Sequence, residues 1–390
     1  MAEDYGRRAP EPVAQRLAEE LTERLFRGLP RADQRRWAGA YLRGLLSTPG
    51  KKSVRNMGWT VGASDTAWQS LHQVVNASTW RWEPVRRSLA LWCARREPVR
   101  GVIVAPVLIP KRGRCSVGVH RRFDPASNRT VSCQWALGLF LATDRGAVPV
   151  DWQLHLPGRW SEDEELRRRT SVPREQGFSS PHEVARDLLD SPAADPGAGT
   201  PVLTATTTGA AAFALISHLA QRRRDFAIGV PASTPLTVGL LRSAPGSPRT
   251  AHLAGARSAG EILRLTGPGA DAPPAGRPRR LRTAPAVVHV PGSSLPLRLL
   301  AAPPAEGRPH RVWLTGADGP ELQGVAGLLT GHDIAAPGLD TLEQLGLYDF
   351  EGRSFPGWHR HMTLVSAACA HQLLADGEHG ATAAALGTVA

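Results

Sequence analysis

Residues 101–154 run through four segments patterned as strands, GVIVAPVLI, RCSVGVHRRF, VSCQWALGLFLAT and AVPVDWQLHL, with turn residues between them and little helix. Strands joined by such short links pair as an antiparallel meander, so the chain is committed to a sheet early. After a helix expected near 181–190 and the Pro/Gly/Ala-rich loop 191–201, the pattern alternates. The apolar strand PVLTA is followed by the helical run GAAAFALISHLAQRRR (209–224) and the strand DFAIGVP (225–231). That order predicts a right-handed crossover and a parallel pair. Residues 240–310 are rich in Gly, Pro and Arg, with β-like pieces AVVHVP and LPLRLLAAP, and read as an insertion of weak β structure. The strand HRVWLTG (310–316) and helices near 337–346 and 357–375 follow, and GEHGATAAALGTVA reads as a frayed tail.

Ahead of the strands the apolar spacing is helical. Residues 13–28 place Val13, Leu17, Leu21 and Leu25 on one face, and 32–46 gather Trp37, Tyr41, Leu42, Leu45 and Leu46. Residues 64–76, behind a Ser64 cap, and 83–96, with Pro84 in the first turn, read as two more helices. Of Trp59, Trp68, Trp80, Trp82 and Trp92, a small bundle is expected to spend most on its core rather than on stacking with bases.

Residues 1–100 hold 18 Lys or Arg against 10 Asp or Glu, a surplus of 8 within a whole-chain net charge of +12. Such a surplus suits a polyanionic partner, because each neutralised phosphate releases condensed counterions. The only lysines are Lys51, Lys52 and Lys111, so the arginine-rich composition also fits a GC-rich genome. Cys93, Cys115, Cys133 and Cys369 lack paired spacing and suggest neither a zinc site nor a disulfide framework. No apolar run approaches the length of a membrane span, and the first residues lack a signal-peptide core, which places the chain in the cytoplasm.

Four stretches carry a family resemblance. They are KKSVRNMGWTVGASDTAWQSLHQVVNASTWRWEPVRRSLA in the helical part, PKRGRCSVGVHRRFDPASNRTVSCQWALGLFLAT with PVDWQLHLPGRWSEDEELRRRTSVPREQGFSS in the strands, and LGLYDFEGRSFPGWHRHMTLVSAACAHQLL near the end. Together they resemble insertion-sequence transposases of the DDE superfamily endonuclease type. The resemblance implies an α/β fold, with a ribonuclease-H-like mixed sheet behind an all-helical module, and the strand order read above agrees. It implies segments at 1–98 (helical, basic, DNA-binding), 99–235 (first part of the core), 236–308 (insertion), 309–376 (last part of the core) and 377–390 (flexible tail).

The family's chemistry places two divalent cations between two Asp and one Glu. At the corresponding places this chain offers Ala105 (or Pro106), Thr204 and Gln344, with Glu343 one residue from the last. No Asp or Glu lies between Arg100 and Asp124, or between Asp195 and Asp225. Hard cations need anionic oxygen ligands, so the expected magnesium site is lost and no cofactor is expected. Asp124, Asp151 or Glu351 standing in for the missing groups is the alternative.

The DNA-facing residues implied are Lys51, Lys52, Arg55, Arg81, Lys111, Arg112, Arg121, Arg122, Arg353 and Arg360, with duplex DNA as partner, nucleoid association when bound, and room for a homodimer or protein partner. Arg222, Arg223 and Arg224 suit phosphate contact or the helix macrodipole equally. His359 and His361 point about 200° apart on a helix, which disfavours a shared metal and leaves a core or DNA-facing role. The functional expectation is a catalytically silent, transposase-derived DNA-binding protein. Its competitors are an active enzyme with an unconventional site, an interaction scaffold, and a decaying element.

Overall fold

The computed structural model describes residues 11–62, 66–124, 127–195, 197, 199–206, 208–241, 255–266, 281–301 and 311–386. Five helices come first: α1 (Glu11–Phe26), α2 (Ala32–Ser47), α3 (Val54–Val61), α4 (Ala67–Asn76) and α5 (Trp82–Arg96). Next come β1 (Gly101–Pro110), β2 (His120–Asp124), β3 (Arg129–Thr143), β4 (Gly146–Leu154), α6 (Arg159–Glu162), α7 (Glu164–Arg169) and α8 (Pro181–Leu189). The parallel unit is β5 (Val202–Ala205), α9 (Gly209–Gln221) and β6 (Phe226–Pro231). The chain continues through β7 (Pro235–Leu241), β8 (Ala256–Ser258), α10 (Ala259–Thr266), β9 (Arg282–His289), β10 (Leu297–Ala301), β11 (Arg311–Thr315), α11 (Gly319–Gly331), α12 (Leu339–Gln344) and α13 (Phe355–Leu386).

The strands pair antiparallel as their patterning predicts, but not each with the next: β1 passes over β2 to pair with β3. β1 lies antiparallel to β3, and β3 to β4. β3 is 15 residues long, so its edge away from β1 accommodates β2 along Arg129–Cys133 and β4 along Ala136–Thr143. β5 runs parallel to β1, and β6 parallel to β5. The nearly unbroken apolar run of β1 is what a strand covered on both faces requires.

Beyond β6 the sheet departs from expectation. β11 pairs antiparallel with β6, and β10, β9, β7 and β8 continue from it, giving 11 strands in one sheet among the described residues. The stretch read as a weak insertion therefore extends the main sheet. Its Gly and Pro content obscured a strand pattern that only pairing completes.

Local structure also differs from the sequence pattern. α3 was not anticipated, since eight residues containing Gly58 show too little periodicity, yet Ser53 caps it by accepting from the Asn56 amide. α11 was missed for the same reason: it contains Gly319, Gly324, Gly327 and Gly331, and begins where Asp318 accepts from the Gly319 amide. α4 begins at Ala67, and the Ser64 cap lies outside the described residues. The last helix continues to Leu386 instead of ending near 376, while residues 387–390 lie outside those described.

α13 is central to the packing. It lies on β4 and is flanked by α1, α2, α4 and α5. Residues 357–371 are buried without interruption, as befits a helix enclosed on all sides. One continuous apolar cluster runs from Leu17 of α1 to Ala375 of α13, so the N-terminal helices share a core with the sheet.

Candidate functional site

Strand register determines what the family's first two carboxylate positions can do. Ala105 of β1 is opposite Gly138 of β3, which is opposite Trp152 of β4. The indole nitrogen of Trp152 donates to the Ser366 hydroxyl of α13 at 2.8 Å. Paired residues share a face, so Ala105 points toward α13. Thr204 of β5 is opposite Val104 and Ile228 and therefore points to the other face. Its hydroxyl donates to the Val104 carbonyl at 2.7 Å. Continuing the β1–β5 register by one residue sets Ala205 beside Ala105, so Ala205 is the residue that shares its face.

Ala205 is opposite Gly229 of β6, which is opposite Trp313 of β11. The Trp313 ring covers Gly229: a Cβ there would sit 3.1 Å from the indole and 3.2 Å from the Ala205 Cβ. One row across the α13 face therefore reads Trp152, Gly138, Ala105, Ala205, Gly229, Trp313. Methyl groups and indoles offer no oxygen to a hard cation, so these residues do not fit a pair of divalent ions. Among the described residues no group of three or more His, Cys, Asp or Glu is placed to hold a metal.

Gln344 ends α12 and is exposed, whereas Ala105 and Thr204 are buried. The fold thus sets β1 and β5 side by side but does not gather Ala105, Thr204 and Gln344 into one buried point. Of the acids considered as replacements, Asp151 pairs with Arg86 at 2.9 Å, Glu351 pairs with Lys51 at 2.7 Å, and Asp124 accepts from the Ser127 hydroxyl at 2.6 Å.

The basic residues divide by burial. Lys51, Arg55, Arg81, Arg112, Arg121 and Arg353 are exposed. Lys52 is buried, its ammonium donating to the Thr48 carbonyl and its backbone amide to Asp349 at 2.8 Å. Arg360 is buried as well, donating to the carbonyls of Trp80 at 3.0 Å and Val75 at 3.1 Å, and burial pushes its pKa down to about 10. These two are corrections: each serves carbonyls left over at helix ends and loops, not DNA. Arg122 is half-buried 4.4 Å over the Trp135 ring.

Lys111 donates to the Phe350 carbonyl at 2.8 Å, and burial lowers its pKa to about 8. Tertiary folding brings Lys51, Lys111 and Arg112 together around the 349–351 segment, close enough for their charges to oppose one another. Arg222 pairs with Asp190 at 2.9 Å, and Arg224 donates to the Ala194 carbonyl at 3.0 Å, so both act within the protein.

The HRH segment is core. His361 donates to the Gly346 carbonyl at 2.9 Å through Nε2, leaving Nδ1 to accept from the Tyr41 hydroxyl at 3.0 Å. His359 stacks on Trp82 with ring centroids 4.7 Å apart. Trp80 and Trp92 are buried as expected, but Trp59 is 72% exposed and Trp68 44%, against the expectation of a core role. Sequence reasoning also missed Arg86, which is 2% exposed and binds both β4 and α13, because nothing local separates it from neighbouring Arg87.

A meander of three antiparallel strands, β4-β3-β1, extended by parallel β5 and β6 and flanked by helices, is a ribonuclease-H-like core. The model of the family described as DDE superfamily endonuclease matches residues 24–296, well over half of the chain, and the protein belongs to that family. The match covers β1 and β5 and ends before α12, so Gln344 lies beyond it. No curated protein matches the chain. None of the helices among the described residues is long and apolar enough to cross a membrane.

Proposed function

We propose that this family member binds duplex DNA without cutting it and acts as a regulator rather than as a recombinase, in the cytoplasm and on the nucleoid when DNA-bound. One observation carries the proposal: the shared face of β1 and β5 presents Ala105 and Ala205 beside Trp313, where two-metal strand cleavage would need carboxylates. The exposed cations Lys51, Arg55, Arg81, Arg112, Arg121 and Arg353 support the binding half of it. Arginine forks suit phosphate oxygens, and their contribution is independent of base sequence.

The test is a pair of titrations on the full chain. Binding to duplex DNA is expected to weaken steeply as salt rises, with a logarithmic slope set by the number of phosphates neutralised. No binding at low salt, or binding indifferent to salt, refutes the binding half. Incubating supercoiled DNA with magnesium or manganese is expected to leave it intact, and metal-dependent nicks abolished by chelator refute the other half.

A further inference from the structure

The two most exposed tryptophans lie where α3 meets α4. A Cβ on Gly58 would sit 3.0 Å from both the Cβ and the backbone nitrogen of Trp68, so the start of α4 rests directly on α3 beside Trp59. Arg55 precedes Trp59 by one helical turn and shares its exposed face. On α4 the exposed residues Gln69, His72 and Gln73 accompany Trp68. The surface therefore combines two large indoles, amide side chains that pair with base edges, and a guanidinium.

An exposed aromatic patch marks a contact surface, and two occupants suit it: a second copy of this chain or nucleic acid. Charge separates them. Residues 34–82 contain seven Lys or Arg (35, 36, 43, 51, 52, 55 and 81), of which Lys52 is buried and the other six are at least partly exposed, and one acid, Asp65. A symmetric contact between copies would oppose the same cations across the interface, whereas a polyanion complements them. Local acids from elsewhere do not reverse the balance: Glu351 pairs with Lys51, and Glu83 lies 3.6 Å from Arg81.

We propose that Trp59 and Trp68 contact DNA bases directly, inserting at or stacking on a base step, while Arg55 holds a flanking phosphate. The proposal rests on the DNA-binding reading above and adds a component of affinity that salt does not screen. Fluorescence anisotropy with the full chain and a labelled duplex, repeated across salt concentrations, tests it. Trp59→Ala and Trp68→Ala are each expected to weaken binding roughly 5- to 150-fold with an unchanged salt slope. Trp59→Phe should retain most of the affinity, and Arg55→Ala should flatten the slope by about one unit.

Both tryptophans are exposed, so the variants should unfold at the wild-type temperature. If the wild type binds DNA and both alanine variants bind equally well, the inference falls and the DNA-binding reading stands. If the wild type does not bind at low salt, both fall. If the alanine variants dissociate a dimer in sedimentation while DNA affinity is unchanged, the patch serves self-association and the inference is overturned.

Discussion

Replacing Arg86 with methionine tests how the helical module is joined to the sheet. Arg86 is 2% exposed and ties α5 to β4 and α13. Its Nε donates to the Thr363 hydroxyl at 2.8 Å, and Nη1 to the Asp151 carboxylate at 2.9 Å and the Trp152 carbonyl at 2.8 Å. Nη2 donates to the His359 carbonyl at 2.9 Å and faces its Nδ1 at 3.1 Å. Methionine fills most of the volume but removes the cation beside Asp151 and one donor each from the Trp152 and His359 carbonyls, although the Trp152 amide still donates to Asp151 and the Thr363 hydroxyl to His359. Breaking one side of a buried pair typically costs about 3–5 kcal/mol. With about 2.1 cal/mol/K of unfolding entropy per residue, a chain of this length should lose about 4–6 °C in Tm. Urea denaturation followed by tryptophan fluorescence would read the same loss. The double variant Arg86→Met, Asp151→Leu should recover a large part, because the stranded charge dominates the penalty. A single-variant loss below about 1 kcal/mol, or additive losses in the double variant, would refute the reasoning.

His359 and His361 are both buried, and desolvation is the main force pushing their pKa values down, His361 to about 3. The unfolded chain protonates each near pH 6.5, so their contribution is intact above that pH and declines as acid is added, by about 1.4 kcal/mol per pH unit for each ring. Nitrogen NMR should find both rings neutral at pH 5, and a protonated ring there contradicts the assignment. Tyr41→Phe removes the donor to His361 Nδ1 and should cost about 1–3 kcal/mol in urea denaturation, so an unchanged midpoint would show that bond to be dispensable. Gly346 has φ +88° and an added Cβ would sit 2.8 Å from the Lys52 side chain. Gly346→Ala should therefore destabilise by about 2–4 kcal/mol by calorimetry, and wild-type stability would refute the crowding.

Much of the fold was legible in the chain alone because it depends on local pattern and on which residue types are present. The strands of 101–154, the β5–α9–β6 unit and the two acid-free stretches follow from alternation, periodicity and residue type, none of which requires knowledge of a neighbour. α3 escaped because it is short and α11 because it holds four glycines, and such helices gain their stability from what they pack on. The roles of Lys52, Arg360 and Arg86 escaped because a basic residue looks the same in sequence whether it faces phosphate or the carbonyls of a distant helix. Register decided that Ala205, not Thr204, shares a face with Ala105, since a shift of one residue exchanges the two sides of a strand. The chain by itself determined which groups are available to the sheet, and only the tertiary structure decided which of them meet, because pairing and burial are properties of elements brought together from far apart.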